Sequence, residues 1–122
     1  MEELDLLEIK KSKFLSYVFN VSSTKQVEDI LNKVKTINKK ATHICYAYVI
    51  NNNGNFEKCF DDKEPSGYAG KPILNVIKMK KLTNILIVVV RYFGGIKLGS
   101  GGLIKAYSKS ASNGVNKFNE IN

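Results

Sequence analysis

A chain of 122 residues with 43% hydrophobic and 25% charged content, two prolines and a net charge of +8 is expected to fold as one globular domain. This balance excludes the disordered, collagen-like and disulfide-stapled classes, and the longest apolar run, Ile85 to Val90, is far short of the roughly 20 residues of a membrane-spanning helix. Charge is unevenly spread. No Asp or Glu stands between Pro65 and Asn119, a span holding eight lysines and Arg91, the single arginine. The C-terminal half therefore presents either a positive field for polyanions or acidic protein surfaces, or a solvated lysine face, and both readings are open.

The N-terminus carries Glu2, Glu3, Asp5 and Glu8 where a secretory signal would need a basic start and an apolar run. Cys45 and Cys59 stand fourteen apart without a C-x-x-C partner, which fits two reduced thiols. The expectation is a cytoplasmic, monomeric protein with no membrane association, no cofactor and no required metal.

In chain order, Leu4 to Ile9 and Phe14 to Val21 have the strand signature, and Lys10 to Lys13 between them reads as the turn of a hairpin. Ser23 with Gln26 forms a capping box, after which Val27, Ile30, Leu31, Val34 and Ile37 recur at helical spacing. Thr42 to Ile50 is a strand by alternation, with Tyr46, Tyr48 and Ile50 on one face and His43, Cys45, Ala47 and Val49 on the other. Asn51-Asn52-Asn53-Gly54-Asn55 breaks it. Gly70-Lys71-Pro72 opens a short helix, since proline is at home in a first turn, and Lys78, Lys80 and Lys81 suit its C-terminal end. Ile85 to Val90 predicts a central strand covered on both faces. After a glycine-rich turn, Leu103, Tyr107, Ala111, Val115 and Phe118 mark a last helix. The expected order is ββαβαβα in one α+β unit.

Four constellations bear on chemistry. His43 and Cys45 face the same way and in principle make a nucleophile, but no orienting carboxylate is evident nearby, so they read as core-edge residues. Asp61, Asp62 and Glu64 suit a hard cation or a helix cap, and capping or solvation is the preferred reading. The run Gly94 to Gly102 has five glycines in nine residues, more than a reversal needs, and can aim backbone amides at an anion beside Lys97. It is neither a P-loop nor a dinucleotide fingerprint. Arg91-Tyr92-Phe93 precedes it; Phe93 is expected in the core and Tyr92 at the surface, where it could stack on a base.

The strings Asp61 to Pro72, Leu82 to Asn84 and Arg91 to Gly99, with Lys11 to Phe14 and Ala41 to Tyr48, closely resemble the IMPACT/YigZ family over about Glu8 to Asn116. The resemblance implies an α+β fold with a left-handed βαβ crossover and helices on one side of a sheet, as in domain IV of elongation factor G and the second domain of ribosomal protein S-five. It also implies work near translation and brings no reaction or cofactor. Eukaryotic members resemble regulators that compete for the ribosome-bound coactivator of the amino-acid-starvation kinase, and bacterial members look like nucleic-acid binders. Lys63 stands where the family commonly has glycine, and Tyr68 where a small hydroxyl residue is usual. Residues 1–122 are expected to form a single IMPACT-type domain, without the ferredoxin-like or RWD domain that accompanies it in relatives.

Together these readings make Asp61 to Tyr107 the functional segment and predict binding rather than catalysis. The expected partner is RNA or a ribosome-associated protein, contacted through Lys71, Arg91, Tyr92, Lys97, Ser100 and Lys105. The alternative is a phosphate- or nucleotide-binding small-molecule enzyme that uses the Gly94 to Gly102 loop.

Overall fold

The computed structural model describes residues 1–51 and 55–122, in the order β1 (Asp5–Ile9), β2 (Ser12–Asn20), α1 (Thr24–Ile37), β3 (His43–Asn51), β4 (Asn55–Phe60), α2 (Gly70–Met79), β5 (Ile85–Tyr92) and α3 (Gly99–Ile121). The expected break at Asn51 to Asn55 includes Asn52, Asn53 and Gly54, which lie outside the described residues. The strand β4 after it is an addition to the expected order.

The β1–β2 hairpin closes through Lys10 and Lys11, both with positive φ (47° and 66°), the backbone twist that suits a two-residue reversal. At the start of α1 the Ser23 hydroxyl accepts from the Gln26 amide at 3.2 Å, while the Gln26 side chain accepts from the Ser22 amide at 2.6 Å. One of the helix's orphan donors is thereby satisfied, and the amide just before the cap is held by the same glutamine.

The strands form one sheet in the order β1-β2-β5-β3-β4, each neighbouring pair antiparallel. The aliphatic run of β5 takes the central position and is buried through Arg91, as its composition predicts. One face of the sheet carries Phe14, Val18, Cys45, Ala47, Ile87 and Val89 and is covered by α2 and α3. The other carries Tyr17, Tyr48, Ile50, Leu86 and Val88 and is covered by α1 through Val27, Leu31 and Val34, each contributing about 1.5–3 kcal/mol by burial. The helices thus lie on both faces, a correction to the expectation that they share one side. Both faces of β5 are aliphatic, so each needs a cover.

This placement bears on handedness. Strands β2 and β3 run parallel and are joined through α1, while β4 and β5 run parallel and are joined through α2. Viewed with its first strand pointing up, each connection advances in the same direction across the sheet. Because α1 and α2 lie on opposite faces, the two crossovers have opposite hands, so one is of the rare left-handed kind.

The hairpin turn also meets the end of β5. A Cβ on Gly94 would lie 2.0 Å from the Lys11 carbonyl oxygen, inside backbone that cannot move aside. Gly94→Ala is expected to cost about 3 kcal/mol or more in a urea titration. Gly67→Ala, where space is free but φ is 84°, is expected to cost about 1 kcal/mol.

Candidate functional site

The site is built around Arg91, the last buried residue of β5. Only 6% exposed, it donates from Nη1 to Glu64 Oε2 at 2.7 Å and from Nη2 to Ser12 Oγ at 3.4 Å, with Phe14 and Phe93 rings 5.5 and 5.4 Å from its Cζ. Glu64, itself 7% exposed, also accepts from the Tyr107 hydroxyl, and its Oε1 lies 3.4 Å from His43 Nε2. His43 Nδ1 faces the Asp62 carbonyl oxygen at 2.7 Å. One carboxylate thus links β3, β5 and α3, and sequence alone did not show the carboxylate beside His43. Arg91 is thus a buried ion-pair partner, a structural role beside the contact role expected of it.

Each acid of the Asp61–Glu64 loop has its own task. The Asp61 carboxylate accepts from the amides of Gly67, Ala69 and Gly70 at 3.0, 3.2 and 2.8 Å. It caps α2 from a distance, where the N-cap residue Ala69 has no side chain able to do so, and this is the expected helix-capping role. Asp62 Oδ2 accepts from the Ile44 amide at 2.6 Å and ties the loop to β3. Asp62 and Lys63 both hold left-handed backbone, with φ of 45° and 69°. Lys63 is the residue that replaces a common glycine, so it bears about 1–2 kcal/mol of strain.

Cys45 is fully buried, its thiol donating to the Asp61 carbonyl oxygen at 3.2 Å and lying 3.5 Å from the Tyr107 hydroxyl. Desolvation raises its pKa strongly, so the thiol stays protonated and is a poor nucleophile. Tyr107 is raised too, first by burial and then by its neighbour Cys45.

Above this cluster a cavity of about 450 Å³ opens, walled by Pro65, Tyr68, Phe93, Leu98 and Leu103, with Thr42, His43, Glu64, Arg91, Lys97 and Ser100 as its polar members. Tyr68, the second departure from the family pattern, thus forms part of the wall. Among the described residues the N-terminus of α3 has no side-chain cap and no acidic residue in its first turn, and Arg91 Nε has no hydrogen-bond partner.

The glycines of this turn separate by physical need. Gly94 permits the close approach to Lys11, and Gly95 and Gly99 have φ of 89° and 75°. Gly101 meets nothing within 4 Å and Gly102 only Leu98 Cβ at 3.5 Å, so neither is required by packing or by φ.

Of the residues expected to make contact, Arg91, Lys97 and Ser100 meet at the cavity. Lys71 is exposed on α2 and Lys105 on α3, outside the cavity wall. Tyr92 is on the other face of the sheet, where its hydroxyl donates to Asn38 Oδ1 at 2.6 Å and pins the end of α1. Its expected surface role and the expected core role of Phe93 are both corrected, since Phe93 is 46% exposed and lines the cavity. Strand parity with Val88 and Val90 was the signal that places Tyr92 there.

Residues 10–115 match the Impact N-terminal domain. The chain belongs to this family. It is 49% identical over 113 residues to the IMPACT family member YvyE of Bacillus subtilis, covering 93% of this chain and 52% of that protein. It is 38% identical over 102 residues to the IMPACT family member YigZ of Escherichia coli, covering 82% and 50%. The chain therefore spans about half the length of these relatives. Among solved structures, one described as a hypothetical protein superposes with a TM-score of 0.87 at 34% identity, covering 92% of this chain and 55% of that one. The two-domain translational regulator Yih1 superposes with a TM-score of 0.64 at 26% identity, covering 94% and 45%.

Two outcomes follow from the cluster. Arg91→Ala is expected to lose about 3–5 kcal/mol in chemical denaturation because it leaves Glu64 buried and unpaired. Glu64→Ala should cost a similar amount, and the double variant less than the sum. Retained stability in Arg91→Ala would show that the pair does not hold the fold. The raised Cys45 and Tyr107 set the alkaline limit: the folded state keeps protons that the unfolded chain releases near its ordinary values of about 8.5 and 10. The stability they contribute is complete below about pH 8.5; it falls by about 1.4 kcal/mol per pH unit above that through Cys45, and by about as much again above about pH 10 through Tyr107. Denaturation midpoints from pH 7 to 11 should show this decline, and Cys45→Ala should remove its first step.

Proposed function

We infer that this domain works in translational regulation by binding RNA, with phosphates received at the N-terminus of α3. One observation carries the reading: Gly101 and Gly102, which neither packing nor φ requires, leave an uncapped helix start open beside Lys97 and Ser100. Bare amides and the positive end of a helix dipole favour an anion, and the small residues let a phosphate approach the backbone. Lys105 continues from Gly101 along the same side of α3, one turn on, and Lys109 one turn further, so the positive strip extends away from the cavity. Lys71 on α2 adds charge without lining the cavity. Kinship with a family whose structural neighbour Yih1 is a translational regulator supports the setting.

Binding rather than catalysis is the reading favoured by the protonated Cys45 thiol and by three carboxylates that each serve the fold. A small-molecule enzyme acting on a phosphorylated substrate is the second reading, and the cavity favours it, since about 450 Å³ is the size of a small-ligand pocket.

Fluorescence anisotropy with a labelled single-stranded RNA should show saturable binding whose log affinity falls linearly with log salt. Lys97→Glu is expected to weaken it roughly ten-fold with the melting temperature unchanged. Gly101→Ala should stabilise α3 by up to about 1 kcal/mol yet weaken binding, because the new methyl stands where the phosphate approaches. Binding unaffected by both changes would refute the site. A nuclease-resistant protein captured in place of RNA would turn the reading to a protein partner, and a melting-temperature rise with a nucleotide and magnesium would turn it to the enzyme.

A further inference from the structure

On the opposite face of the sheet, α1 covers β2, β5 and β3 but leaves β4 bare. Strand β4 is exposed along its whole length, and alternation sends Phe56, Lys58 and Phe60 to the α1 side, opposite Ile50, Tyr48 and Tyr46. Phe56 is 57% and Phe60 42% exposed. Two such rings on an edge strand are an aggregation hazard that proteins usually avoid, so their retention calls for a reason.

The surroundings supply one. The Phe60 ring lies 5.3 Å from that of Tyr46, which in turn stacks at 6.4 Å on Tyr48, so the rings form a continuous aromatic row across β3 and β4. Between this row and α1 run two adjoining hollows of about 320 and 270 Å³ that share Leu31, Lys35 and Tyr46. Lys35 borders both, Lys39 borders the first and Lys58 the second. The acids there are Glu28, at the edge of the second hollow, and Asp62, whose carboxylate is engaged by the Ile44 amide. Phe56 and Phe60 stand four residues apart on the strand, about 13 Å, with Lys58 midway on the same face.

We propose that the groove between α1 and the β3–β4 ribbon is a base-stacking site for single-stranded RNA, with Phe56, Phe60 and Tyr46 as the platform and Lys35, Lys39 and Lys58 on the backbone. Aromatic faces flanked by cations are what sequence-tolerant single-strand binding requires, because every base has a face to stack and every linkage a charge to neutralise. A protein strand added along the open edge of β4 would use backbone groups and alternate pockets, and would leave Lys58 between the rings, with Lys35 and Lys39 across the groove, without a counterpart. The proposal shares an RNA ligand with the function inferred above but uses a different surface, so the two fail separately.

The test is anisotropy of the 122-residue chain with a labelled 12-nucleotide oligouridine, comparing wild type, Phe56→Ala/Phe60→Ala and Lys97→Glu. Each lost ring should weaken binding on the order of ten-fold. Because β4 is exposed and at the edge, the double variant should keep its circular dichroism spectrum. The chain has no tryptophan, so Phe60→Trp supplies a reporter whose emission should be quenched as RNA saturates it. Wild-type affinity in the double variant, or unquenched emission in Phe60→Trp at saturating RNA, would overturn the stacking site even if Lys97→Glu is impaired. Impairment of the ring variant alone would establish the groove and dismiss the α3 site. Absence of any saturable binding at low salt would overturn the groove, while the α3 site would survive only as a protein-binding surface.

Discussion

The buried pair of Arg91 and Glu64 is the interaction on which the arrangement of this domain depends. Removing two charges from water is costly unless their geometry and remaining hydrogen bonds are good, and here the partners come from β2, β3, β5, α3 and the loop after β4. Such a pair adds little net stability over apolar residues of the same volume, yet losing either member is severe. Its effect is to hold the Asp61–Ala69 loop, the end of β5 and the middle of α3 in one register. The cavity beside α3 has Glu64 and Arg91 in its wall, so its shape follows from that register.

The loop and the glycine turn divide their work in a way that composition conceals. Three neighbouring carboxylates look like one ligand set, but one caps α2, one fastens β3 and one neutralises Arg91. Five glycines look like one flexible segment. Gly94 answers a steric demand, Gly95 and Gly99 a conformational one, and Gly101 and Gly102 neither, which leaves bare helix amides as their distinguishing property.

The central position of β5 gives the molecule two unlike faces. One carries α2, α3 and the polar cluster. The other carries α1, held at its end by Asn38, which binds the hydroxyls of both Tyr17 and Tyr92. With α1 and α2 on opposite faces and both crossovers advancing in the same direction, one crossover is of each hand. The rare left-handed connection thus follows from the placement of the two crossover helices on opposite faces.

Features set by neighbours in sequence were legible without the fold: the Ser23 cap, the alternation of β3, the proline-opened α2, the aliphatic β5 and the periodic α3. Each depends on contacts within a turn or on a simple period, so the residue order carries the information. Strand β4 was not legible, because an edge strand exposed at every position has no apolar alternation to betray it. The meeting of His43, Glu64, Arg91 and Tyr107 was equally hidden, since side chains 16 to 64 positions apart in sequence carry no local mark of proximity. The amino-acid order by itself determined the elements other than β4, the family resemblance and the basic glycine-rich turn. Only the tertiary structure decided that Arg91 is buried, that Phe93 and not Tyr92 reaches the cavity, and that the helices cover both faces, because burial and pairing depend on which distant segments the sheet brings together.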